Sequence, residues 1–353
     1  MGHDVAISAF HGQQGGMGEW EGFPVYPAGD HPYGGDVVGL HARHFGASWV
    51  IPIMDFWALS TDTLIGLNVA PWSPVDCDPL GEHDLKRHRE ASIRGLEFRC
   101  RPIAFSRFGQ RVLGESGFPA LYVPHGVDCS LWVPPEDREA LREAMGVDDK
   151  FVVFMNAANL SKDRKNFAEQ MAAFARLHRR HDDTLLVLHT QESTSQGLNL
   201  PLLAAKLGIS KAVKFSSQYL MKAGMVTAEQ LRGSYGMADL YSSCSLAEGF
   251  GITVAEAMSC GVPTVVSDNS ALTEVGGPCW KVKCDPRWVP GHDSWWGTPR
   301  IDDITKVYER AYQRGPAWTA KGQAGRQHVL DNYDLKVVEP QWRAVLGKLE
   351  AML

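Results

Sequence analysis

From Phe151 onward, short apolar runs alternate with longer stretches whose apolar residues recur at helical spacing. A strand buried on both faces reads as a continuous apolar run, and a parallel neighbour needs a helical crossover to reach it, so this alternation predicts a doubly wound α/β domain. The strand candidates are Phe151-Val-Val-Phe-Met, Thr184-Leu-Leu-Val-Leu-His, Val213-Lys-Phe, Leu240-Tyr-Ser-Ser, Pro263-Thr-Val-Val-Ser and Trp280-Lys-Val. Helices are expected between them, at 202–207, 228–237 and 254–259. Another follows Asn166, which stands where a capping residue belongs, with Glu169 three positions on and an apolar stripe of Phe167, Met171, Phe174 and Ala175.

The first 134 residues are less regular. Strands are expected at 5–9, 37–40, 49–54, 103–105 and 121–123, and helices at 82–97 and 107–115, which reads as a second α/β unit. Pro134-Pro135 interrupts helix and sheet alike and marks the boundary. The expected organisation is an N-terminal domain over 1–134, a C-terminal domain over 135–335, and a terminal helix over 336–353 with Val337, Val338, Trp342, Val345 and Leu349 on its apolar face. At 353 residues the chain exceeds what one core usually supports, which agrees with two domains.

Composition narrows the partners. With 35 Lys+Arg against 41 Asp+Glu the net charge is −6, the wrong sign for a general nucleic-acid or anionic-membrane binder. No apolar run approaches the ~20 residues of a membrane span and no secretion signal is visible, so a cytoplasmic protein is expected. The seven cysteines are scattered without a C-x-x-C pair, which favours reduced, buried thiols over a disulfide or zinc framework. His178 and His181 lie in the basic end of a helix and make no metal site, so no metal is expected.

The densest chemistry is in Ala247-Glu-Gly-Phe-Gly-Ile-Thr-Val-Ala-Glu-Ala-Met-Ser-Cys-Gly-Val-Pro-Thr-Val-Val-Ser. A strand runs into a Gly-x-Gly turn and a helix begins near Ile252. Small residues allow a ligand close to the backbone, and the unpaired N–H groups of a helix start suit a diphosphate. Glu248 lies just before the turn and Glu256 about one helical turn into the helix, so both can face one cleft, and carboxylates accept hydrogen bonds from sugar hydroxyls.

Glu248 to Glu256, with the following Ala-Met and Gly-x-Pro, resembles the E-x7-E signature of the GT-B retaining glycosyltransferases of family 4. The resemblance spans nearly the whole chain. Leu231-Arg-Gly-Ser-Tyr-Gly-Met-Ala-Asp-Leu-Tyr-Ser-Ser resembles the family's approach to that motif, and Val123-Pro-His-Gly-Val-Asp its P-N-G-V-D element with His125 in place of Asn. It implies a GT-B fold of two facing Rossmann-like domains, the terminal helix crossing back to the N-terminal one. The implied activity is transfer of a sugar from a nucleoside-diphosphate sugar to an acceptor hydroxyl with retention, without metal or other cofactor. Glu256 would bind the donor ribose and Glu248 the transferred sugar. Gly249, Phe250, Gly251, Ile252 and Thr253 would supply backbone donors, and Lys165 would hold the diphosphate.

Departures from the family pattern qualify this. Ala158-Asn159 stands where Gly-Arg is usual, so Asn159 and Arg164 are the candidates for that phosphate contact. Met54 replaces a histidine beside Asp55, which leaves Asp55 as the sugar-side residue. Ser106 matches a family serine, and His41 is a cleft candidate at a strand end. The opening Gly2-His-Asp-Val-Ala-Ile-Ser-Ala-Phe resembles the family's second strand, so the first strand, its glycine loop and helix are expected to be missing, and a shortened enzyme is the expectation. The 12–22 stretch reads as an irregular loop, and Trp288, Trp295 and Trp296 as packing residues. The alternatives are a binding-only protein that keeps the donor site, or an epimerase. Neither the base, the sugar, the acceptor nor the oligomeric state is legible.

Overall fold

The computed structural model describes residues 2–10, 12–59, 62–81, 99–161 and 163–353. The helix expected over 82–97 lies outside them. The described chain divides into two compact units, 1–124 with 289–294 and 340–353, and 125–288 with 295–339.

In the first unit, β1 (Ile7–Ser8) pairs in parallel with β3 (Phe23–Tyr26), which also pairs antiparallel with β2 (Gly18–Trp20). The irregular loop expected over 12–22 is therefore half hairpin, its turn made by Glu21 and Gly22, both at positive φ. The strand expected at 37–40 is corrected too: Val38–Phe45 is helix α1, ended by Gly46 in the left-handed region. Its run of apolar residues is too short to tell helix from strand by period. Residues 49–54 form only the isolated bridges Val50↔Val69 and Ile53↔Trp72. These lead to two small parallel sheets, β4 (Asn68–Val69) with β6 (Arg99–Cys100), and β5 (Trp72–Ser73) with β7 (Ile103–Ala104) and β8 (Leu121–Tyr122). Helix α2 (Arg107–Glu115) is capped by Ser106, whose Oγ accepts from Gly109 N at 3.0 Å. A cavity of about 500 Å³ lies against β1, α1 and 49–54, with His41 on its wall.

The second unit holds a six-stranded parallel sheet, in the order β11-β10-β9-β12-β13-β14. These strands are β9 (Phe151–Asn156), β10 (Thr184–His189), β11 (Val213–Phe215), β12 (Leu240–Ser243), β13 (Thr264–Ser267) and β14 (Trp280–Val282). Counted from β9 the order is 3-2-1-4-5-6. Because parallel crossovers are right-handed, the reversal at β9 sends helices to opposite faces of the sheet and opens a crevice beyond the carboxyl ends of β9 and β12.

Helix α3 (Arg138–Ala144) precedes β9, while α4 (Phe167–His178), α5 (Leu200–Leu207) and the short α6 (Gln218–Lys222) serve the first half of the sheet. The second half has α7 (Ala228–Met237), α8 (Ile252–Ser259) and α9 (Leu272–Val275), then α10 (Ile301–Tyr312) and α11 (Pro316–Asn332). Val153, Met155, Leu186, Leu188, Phe174 and Tyr308 form one fully buried core between the sheet, α4 and α10. At about 1.5–3 kcal/mol for each large apolar side chain, such burial supplies most of the driving force. Gly322 lets α11 approach α8, since a Cβ there would sit 2.4 Å from Gly261 O.

Asp239 fixes the two central strands against each other. Its buried carboxylate accepts from Val152 N at 2.8 Å and pairs with Arg138, Arg142 and Arg314 at 2.8–3.1 Å. The segment 125–134 belongs to this unit, ten residues ahead of the Pro134-Pro135 boundary. The reason is a bridge from Val127 to Asp334 and the packing of Trp132 on Tyr235 at 5.7 Å.

The hairpin of β15 (Cys284–Val289) and β16 (Ser294–Pro299) was not foreseen in the sequence. Trp296 is buried, as expected of it, but Trp288 and Trp295 are exposed and meet edge to face at 5.2 Å. The last helix, α12 (Leu335–Glu350), carries Pro340 inside it, and from that residue it groups with the first unit. There Trp342 packs on Trp72 at 4.9 Å, and Trp49 Nε1 donates to Leu349 O.

Candidate functional site

The loops leaving β9 and β12 at the sheet's reversal are tied together by three contacts. Leu246 N donates to Arg164 O at 2.8 Å, Asn166 Nδ2 to Cys244 O at 3.0 Å, and Cys244 N to Gln170 Oε1 at 3.0 Å. Asn166 stands at the N-cap of α4, as expected, but its side chain does not cap the helix. It sits at φ 54°, and its side chain reaches across to β12 instead of back to its own helix. This clamp brings Lys165 to Glu248: Lys165 Nζ lies 2.5 Å from Glu248 Oε1, and Arg164 Nη1 3.4 Å from Oε2.

Glu248 is buried, its N–H held by Ser270 Oγ at 3.0 Å. Burial acts against its charge, yet the Lys165 ammonium and Arg164 guanidinium outweigh burial and hold its carboxyl below the usual value. Beyond it the chain turns through Gly249-Phe250-Gly251 into α8. Gly251 has φ 96°, and an added Cβ would meet Leu272 Cδ2 at 2.7 Å, so both backbone and space require glycine. No side chain caps α8. Among the described residues the N–H groups of Ile252 and Thr253 have no backbone acceptor, which leaves donors and a positive dipole end at the crevice.

Phe250 is wedged between His125, 5.2 Å away, and Tyr333, 5.3 Å away. Burial pushes the His125 imidazole down to about 4. Glu256, one turn into α8, has a different setting from Glu248: burial raises its carboxyl to about 6, opposed by a hydrogen bond from Tyr235 Oη at 2.7 Å. Two carboxylates thus share one crevice, one charge-paired and one held by a phenol.

Not every expected residue joins them. The Asn159 side chain is engaged elsewhere: its Nδ2 donates to Gln191 O and Leu198 O, and its Oδ1 accepts from Leu198 N at 2.9 Å, so its amide braces the 191–198 loop. Arg164 remains beside Glu248. Asp55 lies exposed in the first unit, just before the short turn Phe56–Ala58. His41 sits on a helix, not at a strand end, bonded to Ser8 Oγ at 2.9 Å and stacked on Tyr26. Tyr235, now seen at the centre of the site, was quoted in the sequence only as part of a helix; its signal was a large polar aromatic among small residues, Gly233-Ser-Tyr-Gly236.

Three to four acidic or metal-binding side chains would have to converge for a metal site, and among the described residues no such group of His, Cys, Asp or Glu occurs. His178 bonds Thr184 and His181 stacks on Tyr312. Among the described residues, no helix is long and apolar enough to cross a membrane.

Residues 137–278, which contain Lys165, Glu248 and Glu256, match the family model for glycosyl transferases group 1. The chain carries a glycosyl transferases group 1 domain. Over 242 residues it is 29% identical to the GDP-mannose-dependent alpha-(1-6)-phosphatidylinositol monomannoside mannosyltransferase of Mycolicibacterium smegmatis, covering 66% of this chain and 55% of that protein. Over 220 residues it is 32% identical to the D-inositol 3-phosphate glycosyltransferase of Corynebacterium jeikeium, covering 57% and 49%. The chain spans about half the length of these curated relatives.

Solved structures extend the likeness beyond the group 1 domain. Sucrose-phosphate synthase from Thermosynechococcus elongatus superposes with a TM-score of 0.75 at 17% identity, covering 100% of this chain and 90% of that one. Anabaena HepE in complex with UDP-glucose gives 0.70 at 17% identity, covering 93% and 86%. With the sheet order, these likenesses show the GT-B fold.

Proposed function

We propose that this protein transfers a sugar from a nucleoside-diphosphate sugar to an acceptor hydroxyl with retention at the anomeric carbon. The observation that carries the reading is the Lys165–Glu248–Arg164 cluster beside the uncapped start of α8, at the crevice of a 3-2-1-4-5-6 sheet. The relatives named above support the reaction class, and the GDP-mannose-dependent mannosyltransferase among them makes GDP-mannose the first donor to test.

In this reading Glu256 accepts from the donor ribose and Glu248 from the transferred sugar. The diphosphate meets the free N–H groups of Ile252 and Thr253, with Lys165 and Arg164 as the cations. As the anomeric C–O bond breaks, negative charge grows on the leaving phosphate, where fixed cations and backbone donors stabilise it. The acceptor oxygen bonds to the anomeric carbon on the same face, and its proton passes to the departing phosphate oxygen. Glu248, held ionised by its two cations, positions the sugar and forms no covalent bond. Asp55 is a sugar-side candidate on resemblance alone, and Asp55→Ala tests it.

The test is nucleotide release from GDP-mannose, UDP-glucose and ADP-glucose, each with and without α-methyl mannoside, phosphatidylinositol or sugar phosphates as acceptors. Acceptor-dependent release, abolished in Lys165→Ala, supports transfer. Nucleotide binding without release under any acceptor favours the binding-only reading, and turnover of the sugar without acceptor favours an epimerase.

A further inference from the structure

Beneath α8 lies a chain of hydrogen bonds that ends on Glu256. Asn156 Nδ2, at the end of β9, donates to Tyr235 Oη at 2.9 Å, and Tyr235 Oη donates to Glu256 Oε2 at 2.7 Å. Tyr241 Oη donates to Asn156 O at 3.1 Å and also bonds the Thr253 side chain. Tyr235 and Tyr241 are fully buried. Three strand and helix ends are thereby joined through phenols: β9 by Asn156, β12 by Tyr241, and α8 by Thr253 and Glu256.

This arrangement has a direction. The Tyr235 hydroxyl receives its hydrogen bond from an amide, so its own proton is committed to the carboxylate. Among the described residues Tyr235 is the one side chain bonded to Glu256, which leaves Oε1 for a ligand. Resting on the donor-site reading above, we infer that Tyr235 is a positioning residue, holding Glu256 as an oriented carboxylate that accepts from the hydroxyls of a nucleoside ribose.

The surroundings make Glu256 the group that titrates. Tyr235 faces it from α7 and Tyr241 from β12, and burial raises both phenols above their ordinary range. Cys260, on the same helix, is pushed up to about 12 by burial, and the cations Arg232 and Arg326 act on that thiol. Glu248 lies beyond Tyr241 and keeps its charge through Lys165 and Arg164. The Tyr235 hydrogen bond favours the ionised form of Glu256 against burial. Removing it moves the pH at which ribose binding fails upward.

The experiment is calorimetric titration of UDP, GDP and ADP into wild type, Tyr235→Phe, Asn156→Ala and Glu256→Gln between pH 5.5 and 8.5. Phenylalanine keeps the ring and removes only the hydroxyl. Tyr235→Phe is expected to weaken binding about fivefold near pH 6 but less than about twofold at pH 8.5. Asn156→Ala shifts the profile the same way by less, and so keeps the inference testable if Tyr235→Phe misfolds. In Glu256→Gln the Tyr235 change loses its pH-dependent part. A Tyr235→Phe profile identical to wild type, or lowered equally at every pH, overturns the inference while leaving the donor site standing. A folded wild type that binds no nucleotide overturns both.

Discussion

Lys165 Nζ and Glu248 Oε1 stand 2.5 Å apart, across 83 residues of sequence, because the loops after β9 and β12 are clamped to one another. The pair sets an ammonium against a buried carboxylate, and with Arg164 it holds the Glu248 carboxyl below its usual value. Lys165→Ala should lower turnover by about two orders of magnitude or more through lost stabilisation of the leaving phosphate. It should also lower the melting temperature, since Glu248 is left buried with Arg164 alone. Glu248→Gln in the Lys165→Ala background recovers the stability and not the turnover, which thermal melts and initial rates distinguish.

Glu256 gives a stability signature of opposite sign to an ordinary ion pair. Its folded value, about 6, lies above the ordinary glutamate value of 4.5, so the folded state binds the proton more tightly. The stabilisation is fully present below the unfolded value and is lost as pH rises through 6. Glu256→Gln should therefore be more stable than wild type at pH 7.5, by about 1–2 kcal/mol. That gain should vanish near pH 4.5, in denaturant melts at the two pH values. A ligand hydroxyl bonded to the carboxylate would favour the ionised form, so the proposed nucleotide binding near pH 6 should release a proton. Its binding heat varies with the buffer's ionisation heat.

Gly251→Ala combines a left-handed backbone with a clash on Leu272, and should cost about 1–3 kcal/mol in urea unfolding. Leu272→Ala makes room for the new methyl but leaves φ at 96°, so the double variant regains only part of the loss.

Asn159 and Arg164 separate bracing from binding. Asn159→Ala removes three hydrogen bonds to the 191–198 loop and should destabilise the fold by about 1–3 kcal/mol. Arg164→Ala leaves Lys165 on Glu248, so it should cost less stability than Asn159→Ala while weakening nucleotide-diphosphate binding about tenfold. Paired melting curves and titrations of the two variants read the contrast.

The parallel sheet was legible because its strands are buried on both faces and spell themselves as runs such as Phe151-Val-Val-Phe-Met and Thr184-Leu-Leu-Val-Leu. The hairpins were not, since Trp288, Trp295, Trp20 and Phe23 stand largely in solvent among Gly, Asp and Arg. The carboxylates and Lys165 were found through a local motif. The bracing by the Asn159 amide was not legible because its partners, Gln191 and Leu198, lie more than 30 residues away, and the Asn166 tether was not because a capping pattern is indistinguishable in sequence from a cross-strand contact. Tyr235 carries no motif of its own; only the fold brings it to Glu256.

The proposed nucleotide seat lies at the ends of β9 and β12. Calorimetric titration of UDP, GDP and ADP into the purified chain, beside Glu256→Ala, tests it most directly. Saturable binding of one nucleotide that Glu256→Ala abolishes is the expected result. A folded chain that binds none of the three, or a Glu256→Ala variant that binds as tightly as wild type, contradicts it.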